Sequence, residues 1–162
     1  LHTAYRRQRQ MCIRDRPNGY RYSLYRSDSL PSTTDGWQFG MNLPDQLPSY
    51  HFTSTSFEVY NASDIAIDSY YQRHDLRVTC KFNGNSLKLT NTTNGSAWTY
   101  SKSNDGSHQI VLDGINTYLD GNLANVNTDY GTISLDPGWN SFTATGASSV
   151  DVTFSFPFIY LS

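Results

Sequence analysis

With 162 residues, 12 Lys and Arg against 14 Asp and Glu, and a formal net charge of −2, the chain is long enough for one domain around one core. Asp outnumbers Glu 13 to 1, Lys occurs three times and Tyr twelve, so helix formers are scarce and strand and turn formers plentiful, which points to an all-β sandwich or barrel. No apolar run approaches a membrane span, and residues 17–162 hold seven basic and thirteen acidic side chains, which argues against nucleic acid as a partner of that part.

Residues 1–16, LHTAYRRQRQMCIRDR, hold five Arg and one Asp and show neither strand nor helix periodicity. They contain no apolar h-region of a secretory signal. One reading is a basic arm for nucleic acid. The stronger one is that RQMCIRDR resembles the translation of a sequencing adaptor, so that residues 1–16 are a non-native arm and the natural chain is truncated at its N-terminus. Tyr20, Tyr22 and Leu24 then alternate within 18–26 as one strand, read as the end of a preceding domain. Residues 27–50 carry three prolines and no period and read as a connector, with Trp37, Phe39 and Met41 as apolar anchors between domains.

From Phe52 onward the spacing predicts strands over 52–60, 64–71, 75–82, 86–91, 97–102, 109–113, 131–135, 140–145 and 150–160. Turns are predicted at Asn83-Gly84, Asn94-Gly95, Asp105-Gly106, Asp113-Gly114, Asp120-Gly121 and Asp136-Pro137-Gly138, where Gly supplies positive φ and Pro fixes it. Turn signals about ten residues apart indicate an antiparallel two-sheet sandwich over residues 50–162 rather than a βαβ architecture. Cys80, in the alternating run Leu76, Val78, Cys80, Phe82, reads as a buried free thiol. In the tail, Val150, Val152, Phe154, Phe156, Phe158 and Tyr160 share one face that must be covered, while Pro157 marks an edge or a bulge.

The sequence shows no nucleophile elbow, HExxH or phosphate loop, and Glu58 alternates with Phe57 and Val59 as a solvent-facing strand residue. Asp113 and Asp120 each precede Gly and read as turn residues rather than a glycosidase pair. No catalytic, metal or cofactor residue is assigned. His51, His74 and His108 are far apart and expected at the surface, and LDGINTYLDGN lacks the spacing of a calcium loop. Carbohydrate recognition is the competing use of such a sandwich, since exposed aromatic rings stack on sugars. Trp98 and Tyr100 share one strand face, where inter-sheet core packing is the favoured alternative, and Trp139 lies beside a turn. The candidate ligand or interface residues are therefore Trp37, Phe39, Trp98, Tyr100 and Trp139.

The segments VYNASDIAIDSYYQRHDLRV (59–78), SLKLTNTTNGSAWTY (86–100), IVLDGINTYLDG (110–121), and ISLDPGWNSF through FSFPFIYL resemble, in order, the C-terminal domain of distal tail proteins of siphophages infecting Gram-positive bacteria. WQFGMNLP (37–44) is similar to the junction after that family's N-terminal belt domain. The resemblance implies that residues 17–49 are a belt remnant and connector, and that 50–162 form a galectin-like or carbohydrate-module-like jelly roll. It further implies a non-catalytic virion protein of the tail tip, assembled in the host cytoplasm and serving in assembly and adhesion, with no cofactor. The implied partners are the tail tube and a tail-associated lysin or receptor-binding protein, with a homo-hexamer for the full-length family protein. A module binding host cell-wall glycans is the alternative.

Overall fold

The computed structural model describes residues 13–15, 20–30, 42, 44 and 46–161. They form an all-β, antiparallel sandwich built around two long strands, β6 (Arg77–Asn91) and β13 (Gly138–Ser155), which pair along nearly their whole lengths. On one half of this ribbon β4 (Ser56–Asn61) joins β13 and β7 (Ala97–Tyr100) joins β6. On the other half β3 (His51–Phe52) joins β13, while β9 (Ile110–Asp113), β10 (Asn116–Leu119) and β11 (Asn122–Leu123) extend from β6. The short β5 (Ile67–Asp68) and β12 (Ser134–Leu135) pair with each other, and β8 (Asn104–Asp105) pairs with the middle of β6. No helix among the described residues is long and apolar enough to cross a membrane.

The two layers arise because the ribbon folds back on itself. Phe142 and Phe154 lie on the same strand, and an extended chain would separate them by about 40 Å at ~3.3 Å per residue. Their ring centroids are instead 5.0 Å apart. Phe57, opposite Phe142 in register, also meets Phe154 at 6.0 Å. The fold-back coincides with register shifts between Thr145 and Ser149 of β13, where Ala147 faces Gly84. A Cβ on Gly84 would lie 2.7 Å from the Ala147 Cα, so only glycine permits this approach. Gly146, at φ +86°, lies against the Ser86 backbone. The Asn83-Gly84 turn and the separate strands 75–82 and 86–91 expected from sequence are thus one strand with a bulge, and the same holds for 140–145 and the first part of 150–160.

Between the layers sit Val78, Cys80, Phe82, Ile110, Leu112, Val150, Val152 and Phe154 from one half, and Phe57, Val59, Leu87, Leu89, Trp98, Tyr100, Phe142 and Ala144 from the other, all buried. The Trp98 indole N–H donates across the gap to Thr117 Oγ1 at 3.1 Å, so its one polar atom is satisfied inside the core. Burial pushes the Cys80 thiol up to about 12, consistent with an inert core cysteine. Three fully buried asparagines hold the loops to the sheet. Asn140 Nδ2 donates to the Asp136 carbonyl and Asn140 Oδ1 accepts from the Asp136 N–H, both at 2.8 Å, closing the Asp-Pro-Gly turn. Asn91 and Asn61 donate to the carbonyls of Ser134 and Leu135. That turn therefore joins two strands that pair elsewhere, β12 with β5 and the start of β13 with β4.

At Phe156-Pro157 the chain leaves the ribbon and enters a second, three-stranded sheet, where β14 (Pro157–Tyr160) pairs with β2 (Arg21–Arg26) and β2 with β1 (Ile13–Asp15). Pro157 begins β14 beside a register shift, the bulge position expected of it. Strand β1 falls in the arm to which the sequence assigns no element. Alternation in the tail holds to Phe154, but every residue from Phe154 to Tyr160 is buried, because this last strand is covered on both faces. Ser27 Oγ accepts from the Phe156 N–H at 3.1 Å and donates to the Phe154 carbonyl at 2.8 Å. Arg26 grips both Asp75 oxygens and the Ser155 carbonyl. The stretch 64–71 expected as one strand contributes only Ile67 and Asp68 to the ladder; the rest is loop.

Candidate functional site

The residues singled out in the sequence scatter. Trp37 and Phe39, with Met41, lie outside the described residues. Trp98 and Tyr100 are fully buried in the inter-sheet core, so neither presents a ring to a ligand and the core reading of that strand face holds. Trp139 is 49 % exposed. It stands opposite Tyr60 on the outer face of the edge pair β4/β13, with ring centroids 4.9 Å apart, and the Tyr60 hydroxyl donates to the Asn42 carbonyl. Glu58 and Ser141, the next cross-strand pair, continue this outer face. It offers the Trp139 ring with the partly buried Tyr60 ring beside it, the Glu58 carboxylate and the Ser141 hydroxyl.

Two of the histidines lie at the surface, each beside a carboxylate, and one does not. His51 Nε2 meets Asp151 at 2.6 Å, and His108 Nδ1 meets Asp120 at 2.6 Å. His74, expected at the surface, is buried. Its Nδ1 accepts from the Asp68 N–H at 3.0 Å, so its proton resides on Nε2. Desolvation holds its pKa below the usual histidine range, against the opposing pull of the Asp68 charge and the Ala66 carbonyl. It is a neutral, positioned ring. Among the described residues no three His, Cys, Asp or Glu side chains converge as metal ligands.

Asp120 does more than make a turn. With Gly121 it occupies the two positive-φ positions of a two-residue hairpin, and from there its carboxylate bonds His108 and the Gln109 N–H at 3.0 Å. The hydrogen bond to Asp120 and then its charge raise the His108 pKa; the same hydrogen bond, followed by that from Gln109, lowers that of Asp120. The contribution from His108 is fully present below the ordinary histidine value near ~6.5 and is lost as pH rises through its raised folded value. That from Asp120 is lost as pH falls through its lowered one. In an NMR titration the His108 midpoint is expected above that of a free histidine, and Asp120→Asn should return it to the ordinary range. An unshifted midpoint in the parent protein would remove the pair.

One concavity among the described residues was not revealed by the sequence. A surface cleft of about 630 Å³ lies between the loop after β5 and the β9–β10 turn, lined by Ser69, Tyr70, Arg73, His74, Asp113 and Asn116 among others. The loop is stapled from within. Asp68 Oδ1 accepts from the Tyr70 and Tyr71 N–H groups at 2.9 and 3.0 Å, and the His74 N–H donates to the Asp68 carbonyl at 3.0 Å. Arg73 takes φ +54°. This turn presents Tyr70 and Tyr71, 58 % and 80 % exposed, edge to face with centroids 4.8 Å apart. The sequence signal was available in DSYYQRHD, because two adjacent tyrosines on an alternating strand cannot both face the core.

The chain matches no family model, and no curated protein sequence is significantly similar to it.

Proposed function

We propose that this chain is a non-catalytic structural component of a siphophage tail tip, the outward β-sandwich of a distal tail protein, acting in tail assembly and host adhesion. The observation that carries the reading is the ordered set of family-like segments, which fall along consecutive parts of one sandwich. VYNASDIAIDSYYQRHDLRV runs from β4 through the stapled loop to β6, SLKLTNTTNGSAWTY is the β6–β7 hairpin, IVLDGINTYLDG is β9–β10, and ISLDPGWNSF is the β12–β13 corner. Its partners in this reading are the tail tube and a lysin or receptor-binding protein, with a hexamer for the full-length family protein. Assembly takes place in the host cytoplasm, and the product is the virion. Longer sequencing reads across the gene should place a tape-measure gene upstream and a tail-lysin gene downstream. Continuous reads through RQMCIRDR into an unrelated neighbourhood would count against it.

A second reading, a module that binds host cell-wall glycans, is favoured by the exposed rings of Trp139, Tyr70 and Tyr71 on a β-sandwich. A glycan array should then show binding that falls on substitution of at least one of these rings. An array at background throughout would eliminate it.

A further inference from the structure

The cleft beside the stapled loop has an excess of donors. The two carboxylates on its lining are already engaged: both Asp75 oxygens bond Arg26, and Asp113 faces Arg77 at 3.7 Å. Arg73, by contrast, is exposed and enters no ion pair or hydrogen bond among the described residues. Asn116 Oδ1 accepts from Asn125 Nδ2 at 3.0 Å, which leaves the Asn116 amide N–H groups to donate. Ser69 is only 5 % exposed, and its hydroxyl is the one buried side-chain polar atom without a partner among the described residues. Buried hydroxyls are ordinarily satisfied, and an ordered water or a ligand that displaces it would supply the partner the fold does not. A hydroxyl can turn between staggered positions to meet one.

Beside these donors stands Tyr70, more than half exposed, its backbone N–H held by the Asp68 carboxylate and its ring edge to face with Tyr71. An exposed aromatic face stacks on the C–H face of a sugar ring, and a tyrosine has only two side-chain torsions to order. The volume of about 630 Å³ falls within the range of roughly 300–1,000 Å³ of small-molecule sites. A guanidinium with no protein counter-ion is available to an anion, which it can bind through two parallel hydrogen bonds. We propose that this cleft binds an acidic saccharide, a sugar bearing a carboxylate or phosphate group, with Tyr70 stacked on the ring, Arg73 on the acid, and Asn116 and Ser69 on ring oxygens. The inference rests on the glycan-binding reading and does not need the tail-tip one.

The test is calorimetric titration of the full chain with four probes. These are tetragalacturonate for the carboxylate, pentamannose monophosphate for the phosphate, cellotetraose as a neutral saccharide and hexaglutamate as an acidic peptide. Binding of one or both acidic saccharides at least tenfold tighter than cellotetraose is expected. Tyr70→Ala and Arg73→Gln should each weaken it at least tenfold at unchanged melting temperature, and Trp139→Ala should leave it intact. Ser69→Ala removes an unsatisfied hydroxyl, so it should weaken binding while the melting temperature stays level or rises, an outcome that misfolding could not imitate. Saccharide binding that is lost in Trp139→Ala but survives Tyr70→Ala and Arg73→Gln would overturn the cleft and leave the glycan reading standing on the β4/β13 face. Hexaglutamate binding tighter than the saccharides would make this a peptide site and overturn the assignment. No binding of any probe would overturn the cleft, and the glycan array would then decide whether the wider reading fails with it.

Discussion

Phe154→Ala is expected to lower the stability of the sandwich by about 3–5 kcal/mol, the range for removing a large side chain from a packed interior. Phe154 is fully buried and packs its ring against Phe52, Phe57 and Phe142, with centroids 6.2, 6.0 and 5.0 Å away. These partners come from β3, β4 and the far half of its own strand. Its loss therefore opens a cavity where the two layers meet, and the β-ladder hinders collapse around it. The neighbouring Thr153 pairs with His51 and Thr79 and is only partly buried; Thr153→Ala should cost under about 1 kcal/mol. At roughly 2–4 °C per kcal/mol for a chain of this size, thermal unfolding separates the two variants readily. Equal, small shifts would mean that the face assignment of β13 is wrong.

The second large effect is expected at the fold-back. A Cβ on Gly146 would lie 2.9 Å from the Ser86 carbonyl oxygen and 2.5 Å from its hydroxyl, at a φ of +86°. Gly146→Ala thus combines a left-handed conformation, roughly 1–2 kcal/mol, with a backbone collision of the order of 1–3 kcal/mol for overpacking. The sum is about 2–5 kcal/mol. Gly95 provides the control, because it has φ +81° with nothing within 4 Å of the added Cβ. Gly95→Ala should show only the conformational part. Chemical denaturation of both variants measures the difference, and equal costs would contradict the close approach of β6 and β13 at this point.

The layers of this fold were legible in the sequence wherever one face is wet and the other dry. The run from Leu76 to Phe82 alternates as read, with Cys80 in the core, and the Asp113-Gly114 and Asp120-Gly121 turns fall where their chemistry places them. The continuity of β6 and β13 was not legible. Asn83-Gly84 carries a hairpin signature, but here the glycine serves the close passage of Ala147 and the strand runs on. Local sequence cannot distinguish a glycine kept for positive φ from one kept for a neighbour that arrives sixty residues later. Burial on both faces from Phe154 to Tyr160 was likewise hidden, since Ser155 and Pro157 look like outward residues until β2 and Ser27 cover them.

The candidate site was less legible than the fold. Trp98 and Tyr100 satisfy both the sugar-stacking and the core pattern, and only the Thr117 hydroxyl on a facing strand decides for the core. Tyr70 and Tyr71 were absorbed into an expected strand over 64–71. The Asp68 side chain ends that strand by capping the two tyrosine amides, a local bond that competes with the ladder. The buried Ser69 hydroxyl and the unpaired Arg73 follow from that loop geometry.

The measurement that bears most directly on the tail-tip reading is quantitative mass spectrometry of purified phage particles and of tail tips isolated from them. The account predicts peptides from residues 50–161 at a fixed ratio to the tail-tube protein, enriched in tips over whole tails. Absence of these peptides from purified virions, with the protein present in the producing cells, would contradict it.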